Sequence, residues 1–510
     1  MLENGSYFHN TSLSLSDILG KPYTHAACSA YAKLSGRSET DLKAIADKKI
    51  EFYPIQFQNR LKELIPFIGK KIVETSYFTS SSGAASNSFN TASHIMQAPL
   101  SGMGYLKVTE SGSVQAITKS EHYHAPLGHN FPGYQLIQNA QAIGISNITH
   151  NNTRGHITRL LESELIAIAN SGQENDRKIS RVINLQTGSL AVEAGVKMML
   201  NRFYKSDPVI KTPVPYAGKI PVFLVMADYE MGKQANYHGT TILTQTMRGL
   251  WPELYQKFES AEAYKVVPVP INDFNAFKKI VATYDAEQYK IAGFIHELIL
   301  MNYGGIAISK EFLQSAYELC DKHDIPTLVD EIQSCLWAPD MFLYKEYGLN
   351  PDFVSVGKGF PGGQFASSKI LLSEKMDNLS QFGALVTNGQ EELASLAYLI
   401  TIQFVKQNRE ITRNIGDYYE AKLHNLAEKH KNIIIKREGN RHLGALIFES
   451  AEKAATFAQV INAKGFDISA QTYKANCPPA ALTKIPLIAD VNLIDALVTC
   501  MDEVLSNSLI

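Results

Sequence analysis

Cysteine is scarce in this chain: five residues (Cys28, Cys320, Cys335, Cys477 and Cys500) are scattered over 510 positions, with no CxxC pair among them. That spacing excludes a disulfide framework or a thiolate metal cluster as the organising feature, and reduced thiols in a cytoplasmic protein are expected. Charge of one sign is also missing. Forty-eight basic and fifty acidic side chains leave a net charge of −2, which gives no electrostatic case for nucleic acid or an anionic membrane as partner. No uninterrupted apolar run approaches the roughly 20 residues that span a bilayer. The opening residues, MLENGSYFHN, lack a basic stretch followed by an apolar one, so no secretory leader is expected.

What is present is ordinary for a folded protein. Hydrophobic residues make up 45% and charged residues 19%, and a chain this long is expected to form two or three packed regions. Residues 1–98 read as a mostly helical extension. Within it, Asp41 to Tyr53 is predicted helical with Asp41 as a possible cap, and a second helix carries Phe57, Leu61, Leu64 and Ile65. The Ser-rich stretch Thr79 to Ser86 reads as a linker or tight loop. Residues 99–180 lead into the core.

From Arg181 short β-branched runs alternate with helical segments. Val182–Leu185, Val222–Val225, Ala292–Ile295, Thr327–Val329 and Phe353–Val356 have the length of buried strands, and Lys310–Lys322 is one of the helices between them. That alternation predicts an α/β fold with a mostly parallel sheet over 181–403, covered on both faces. Such sheets bind ligands beyond the carboxyl ends of their strands. Residues 404–510 read as a smaller α+β domain.

Three strand ends carry chemistry. Gln186-Thr187-Gly188-Ser189 follows the strand ending at Leu185 and opens a helix. Free N–H groups at such a start can seat a phosphate, and Gly188 allows close approach; Ser189 as a plain helix cap is the alternative. Asp330 ends a second strand, where a carboxylate could face a cationic nitrogen or simply cap a helix. Lys358, in Gly357-Lys358-Gly359, ends a third, where desolvation would favour the neutral nucleophile unless the side chain reaches water. Taken together they match the needs of an aldehyde cofactor with a phosphate and a ring nitrogen.

The segment Ile325 to Gly363, with Val329-Asp330-Glu331-Ile332-Gln333 and then Gly357-Lys358-Gly359, resembles the class III (ornithine/GABA-type) aminotransferases. The separation of 358 − 330 = 28 positions suits that family, as do Thr187 to Ala194, Tyr237-His238-Gly239, Glu297 and Thr387 in that order. The similarity covers roughly residues 100 to 505. It implies the fold-type I transferase architecture, pyridoxal 5′-phosphate as cofactor and transamination as the activity. By the same resemblance, Gly188 and Ser189 hold the phosphate, Tyr237 stacks on the ring, Asp330 pairs with the ring nitrogen and Gln333 reaches the phenolic oxygen. Lys358 is then the Schiff-base lysine, and Thr387 reaches the phosphate of a neighbouring subunit, which implies a homodimer.

The departures from the family bear on substrate. Leu482 stands where many members carry an arginine that grips the α-carboxylate, Leu190 replaces an often acidic residue, and Glu297-Leu298 replaces Glu-Pro. Common α-amino acids are therefore expected to be poor donors. Arg154, Arg248, Arg441 and Lys474 are candidates to hold a substrate anion, Arg154 first, because its Asn- and His-rich neighbourhood could orient a guanidinium. Glu121-His122-Tyr123-His124 with His129 has the residue types for zinc, but Leu127-Gly128-His129 resembles a loop near the family's active-site entrance, and no metal is expected. Residue reading alone leaves an epimerase, aminomutase or decarboxylase of the same fold open. It also leaves a non-catalytic binding protein open, although such a protein needs neither Lys358 nor Asp330. A nucleotide-binding oxidoreductase is the weakest rival, since Thr187-Gly188-Ser189 lacks GxGxxG spacing.

Overall fold

The computed structural model describes residues 8–75, 83–172, 179–209, 214–471 and 476–507. Its centre is a seven-stranded sheet in the order Ile179–Leu185, Ser368–Ser373, Phe353–Val356, Thr327–Asp330, Tyr289–His296, Ile220–Met226, Lys265–Val269. Every neighbouring pair is parallel except those made by Ser368–Ser373, which runs against both of its neighbours. The fold is α/β, as expected, with a single reversed strand in the sheet.

The sequence explains why this sheet is interior. All four residues of Thr327–Asp330 and of Phe353–Val356 are buried, and so are six of the seven in Ile220–Met226. Strands apolar on both faces need helices on both faces. The helix Gly188–Leu200 packs on one side, where Ala191, Ala194, Met198 and Met199 lie in one core cluster with Leu328, Phe353 and Ile370. The helix Lys310–Lys322 has the bounds its periodicity predicts; Ser309 caps it.

A four-stranded antiparallel sheet, Ile434–Asn440, Leu443–Phe448, Ala480–Lys484 and Ser469–Gln471 in spatial order, forms the smaller C-terminal unit. The division expected at 403/404 falls inside the continuous helix Glu392–Gln407, and the chain turns at Asn408 before Arg409–Lys429. Apolar positions of the helix continue on both sides of that point, at Leu399, Ile400, Ile402, Phe404 and Val405, so composition carries no boundary there.

The N-terminal region begins, among the described residues, with the helices Leu15–Leu19, Lys21–Ser35, Glu39–Asp47 and Ile55–Leu64. The third corrects the expectation from sequence: Ser38 caps it rather than Asp41, and it stops at Asp47, before the short strand Ile50–Glu51. Ser38 accepts from the Asp41 N–H and leaves Asp41 in the first turn, where its charge suits the helix dipole. This region is fastened to the core. Phe8 and Tyr53 pack with Phe131 and Phe404 in an aromatic cluster, and Tyr23 stacks on His156 at 4.3 Å. In the Ser-rich stretch, residues 79–82 lie outside the described residues, while Gly83–Ser86 is irregular and precedes a short helix at Asn87–Ala92. Among the described residues, no helix is long and apolar enough to cross a membrane.

Candidate active site

The carboxyl ends of the central strands open into a cavity of about 540 Å³. Its walls come from residues far apart in sequence: Thr187, Gly188 and Ser189, then Tyr237 and His238, then Asp330, Ile332 and Gln333, then Lys358. Parallel register brings the last two groups together, because Asp330 pairs with Ser355, two residues before the turn that carries Lys358.

Asp330 is buried and held from three directions. Ser355 Oγ donates to Oδ1 at 2.7 Å, the Ile332 N–H donates to the same oxygen at 3.2 Å, and His238 Nδ1 lies 3.0 Å from Oδ2. With the carboxylate accepting, His238 carries its proton on Nδ1, which leaves Nε2 buried and without a protein partner. Gln333 bridges two groups: its amide donates to Glu297 Oε1 at 2.9 Å, and its oxygen accepts from Lys358 Nζ at 3.5 Å. Burial pushes the Lys358 amine below its ordinary pKa, against the opposing pull of Glu297 and Asp330. Its backbone adopts φ +36°, a left-handed conformation of the kind found where tertiary structure dictates a side chain's direction.

At the other end of the cavity the helix Gly188–Leu200 starts. Thr187 is its cap, accepting from the Leu190 N–H; Ser189 is not. The first N–H groups of a helix have no intrahelical partner, and here the residues at the helix start, Gly188 and Ser189, line the cavity. The Ser189 hydroxyl accepts from the Thr240 N–H at 3.1 Å. Gly239 has φ +120°, and a Cβ there would lie 2.6 Å from Ser189 Cα. Only glycine lets those two segments meet.

The left-handed turn Ser120–Tyr123 has no counterpart in the expectations from sequence. Its four non-glycine residues have φ of 52°, 48°, 58° and 73°. Such a backbone costs about 1–2 kcal/mol per residue, so the surroundings must impose it. Buried Lys107 and His129 both reach Glu121 Oε1, at 2.8 and 3.0 Å, and the Ser120 hydroxyl donates to the Lys484 carbonyl at 2.6 Å. Burial pushes the Glu121 carboxyl up, but those partners outweigh it and hold it down at about 2. The turn delivers His122 and, just beyond it, His124 to the cavity wall. Burial and the nearby lysine charges pull His122 down to about 4, and burial lowers His124.

Lys484 is a second residue that sequence reasoning missed. It is fully buried, donates to the Gln333 carbonyl, and lies 3.5 Å from the Trp337 ring centroid. Tyr123 lies between it and Lys358, its ring centroid 5.0 Å from one amine and 5.3 Å from the other. Burial, chiefly, pushes its amine well below the ordinary range. A lysine closing a short, fully buried strand, Ala480–Lys484, was the available signal.

Comparison with known proteins shows the family. The family model "Aminotransferase class-III" matches residues 118–498. The chain belongs to the class-III aminotransferase family. Acetylornithine aminotransferase of Methanocaldococcus jannaschii is 30% identical over 245 residues, 46% of this chain and 56% of that protein. The corresponding protein of Aquifex aeolicus is 23% identical over 222 residues, 43% and 57% of the two chains. The chain thus spans little more than half the length of these curated relatives. In three dimensions, ornithine aminotransferase from Toxoplasma gondii ME49 superposes with a TM-score of 0.66 at 16% identity, covering 81% of this chain and 91% of that one.

The cofactor of this family is pyridoxal 5′-phosphate, and the residues present fit it. A buried carboxylate, an amine pushed toward its neutral form, a helix start and a glycine-permitted close approach share one cavity. Tyr237 and Ile332 both line that cavity and add apolar surface for a ring.

The basic residues expected to hold a substrate anion are not gathered there. Arg154 pairs with Glu162 at 3.0 Å on the surface, and Arg441 is engaged by Glu346 and Asp417. Neither lines the cavity, since local acids already satisfy both guanidinium groups. Arg248 lies 5.1 Å from the Tyr237 ring centroid, against that ring rather than on the cavity wall. Lys474 lies outside the described residues. Thr387 is exposed and takes no part in its own chain's cavity.

Proposed function

We propose that the protein is an aminotransferase, moving an amino group from an amine or amino acid to a 2-oxo acid or aldehyde. The observation that carries this reading is Lys358: a buried amine, shifted toward its neutral form, in the same cavity as Asp330 and the helix start at Gly188. Bound pyridoxal phosphate supplies an electron-withdrawing ring that lowers the energy of the carbanion left when a proton departs the amine-bearing carbon. Lys358 would be the covalent anchor, and its free amine would be the base that moves that proton. Asp330, fixed by Ser355, His238 and the Ile332 N–H, pairs with the ring nitrogen. Gln333, oriented by Glu297, serves the phenolic oxygen, and Gly188 with Ser189 receives the phosphate. Tyr237 covers one face of the ring.

The same reading includes a cytoplasmic homodimer. Thr387, exposed on its own chain, is suited to reach a partner's phosphate, and the absence of a disulfide among the described cysteines suits a reducing compartment. The test is amino transfer to 2-oxoglutarate from a donor panel that includes ornithine and acetylornithine, with glutamate as the readout. Protein that holds the cofactor but transfers nitrogen from no donor would reject the activity.

A further inference from the structure

The chemistry above uses the floor of the cavity and leaves its mouth unassigned. There the wall is made by His122 and His124, with Pro361, Gly363 and Phe365. Four consecutive left-handed residues hold His122 in place, and the turn is clamped by Lys107, Glu121, His129 and the Ser120–Lys484 hydrogen bond. A glycine at any of the four positions would relieve that residue's share of the strain. Strain of this kind persists when the surroundings over-determine it and collects at ligand sites. The His122 ring also stacks on Tyr123 at 4.9 Å, so its plane as well as its backbone is fixed.

We infer that His122 and His124 are specificity-determining residues that read an uncharged hydrogen-bonding group, a hydroxyl or carbonyl, beside the reacting amine. This rests on the aminotransferase reading above. Three observations select an uncharged group over a carboxylate. Among the described residues lining the cavity, Lys358 is the one lysine or arginine, and its amine is committed to the cofactor. Leu482, on the strand facing this region, is buried in an apolar cluster with Ala445, Ile447 and Ala480 and offers no charge. Burial and the charges of Lys358 and Lys119 act against protonation of His122. A neutral imidazole still offers one donor and one acceptor, which suits a hydroxyl.

The test uses three donors that share a methyl-substituted amine carbon: sec-butylamine, 2-aminopropan-1-ol and alanine. They differ in the third substituent on that carbon, which is ethyl, hydroxymethyl or carboxylate. Affinity for the holoenzyme is read from the change in cofactor absorbance, and turnover with 2-oxoglutarate is measured separately. The alcohol should bind at least tenfold more tightly than either of the others. In His122→Gly, which keeps the left-handed backbone without strain, and in His124→Ala, the alcohol-to-alkylamine ratio should fall to within threefold. His122→Asn tolerates the same backbone and can hydrogen-bond, and should retain part of the preference. A ratio already within threefold in the parent, a ratio untouched by the His122 and His124 variants, or tightest binding of alanine would overturn the inference. Binding in the expected order without turnover would instead reject transamination while upholding the recognition.

Discussion

Glu331, next to Asp330, allows a stability prediction worked directly from its surroundings. The side chain is fully buried; the Ser334 hydroxyl donates to one oxygen at 2.7 Å and the Tyr344 N–H to the other at 2.6 Å. Burial outweighs those hydrogen bonds and pushes the carboxyl up to about 7 from the ordinary 4.5. Between those two values the folded protein keeps the proton while the unfolded chain has lost it. Stability therefore falls as pH rises through that window and levels off above it. The gap corresponds to about 3 kcal/mol. Glu331→Gln keeps an oxygen for the Tyr344 N–H and an amide for Ser334, and it cannot ionise. At pH 5 variant and parent should be alike; at pH 8 the variant should be more stable by up to about 3 kcal/mol. That is roughly 3 °C in melting temperature for a chain of this size. Thermal unfolding of both proteins from pH 5 to 9, with cofactor saturating, gives the difference curve, in which other titrating groups cancel. A difference that does not change with pH, or a variant less stable at pH 8, would refute the reasoning.

Asp330→Asn should retain cofactor but lower kcat by at least about a hundredfold, the scale of losing a positioned electrostatic group; turnover within a few-fold of the parent would remove Asp330 from its assigned role. Gly239→Ala places a Cβ 2.6 Å from Ser189 Cα and should weaken cofactor affinity at least tenfold, measured by titration of the apoprotein. Thr387→Val should weaken cofactor binding while leaving sedimentation as a dimer unchanged; an active monomer would contradict the shared site.

The parts of the site that were legible in sequence sit at strand ends. Leu185, Asp330 and Val356 close apolar runs too short for helices, and the residues after a buried parallel strand must enter the ligand crevice. Gly188, Ser189, Asp330, Gln333 and Lys358 therefore fall into one cavity. Contacts set by packing were not legible. The approach of His238 to Asp330 spans 92 positions, and no local pattern encodes it. The turn at Ser120–Tyr123 contains no glycine, so its left-handed backbone left no mark on composition. Arg154 has polar neighbours along the chain, yet Glu162, one helix face away, takes the guanidinium. Ser38 rather than Asp41 caps its helix because the chain enters extended at Ser38, a distinction that propensity alone does not resolve.

Lys358 as the residue bonded to the cofactor is the central claim, and Lys484 is its natural rival: a second buried lysine whose amine is also pushed down. Borohydride reduction of the holoprotein with subsequent peptide mass spectrometry decides between them. The expected result is one phosphopyridoxyl adduct per chain, on Lys358, absent from Lys358→Ala while that variant stays folded. An adduct on Lys484 or any other lysine, or one that survives in Lys358→Ala, would contradict the central claim.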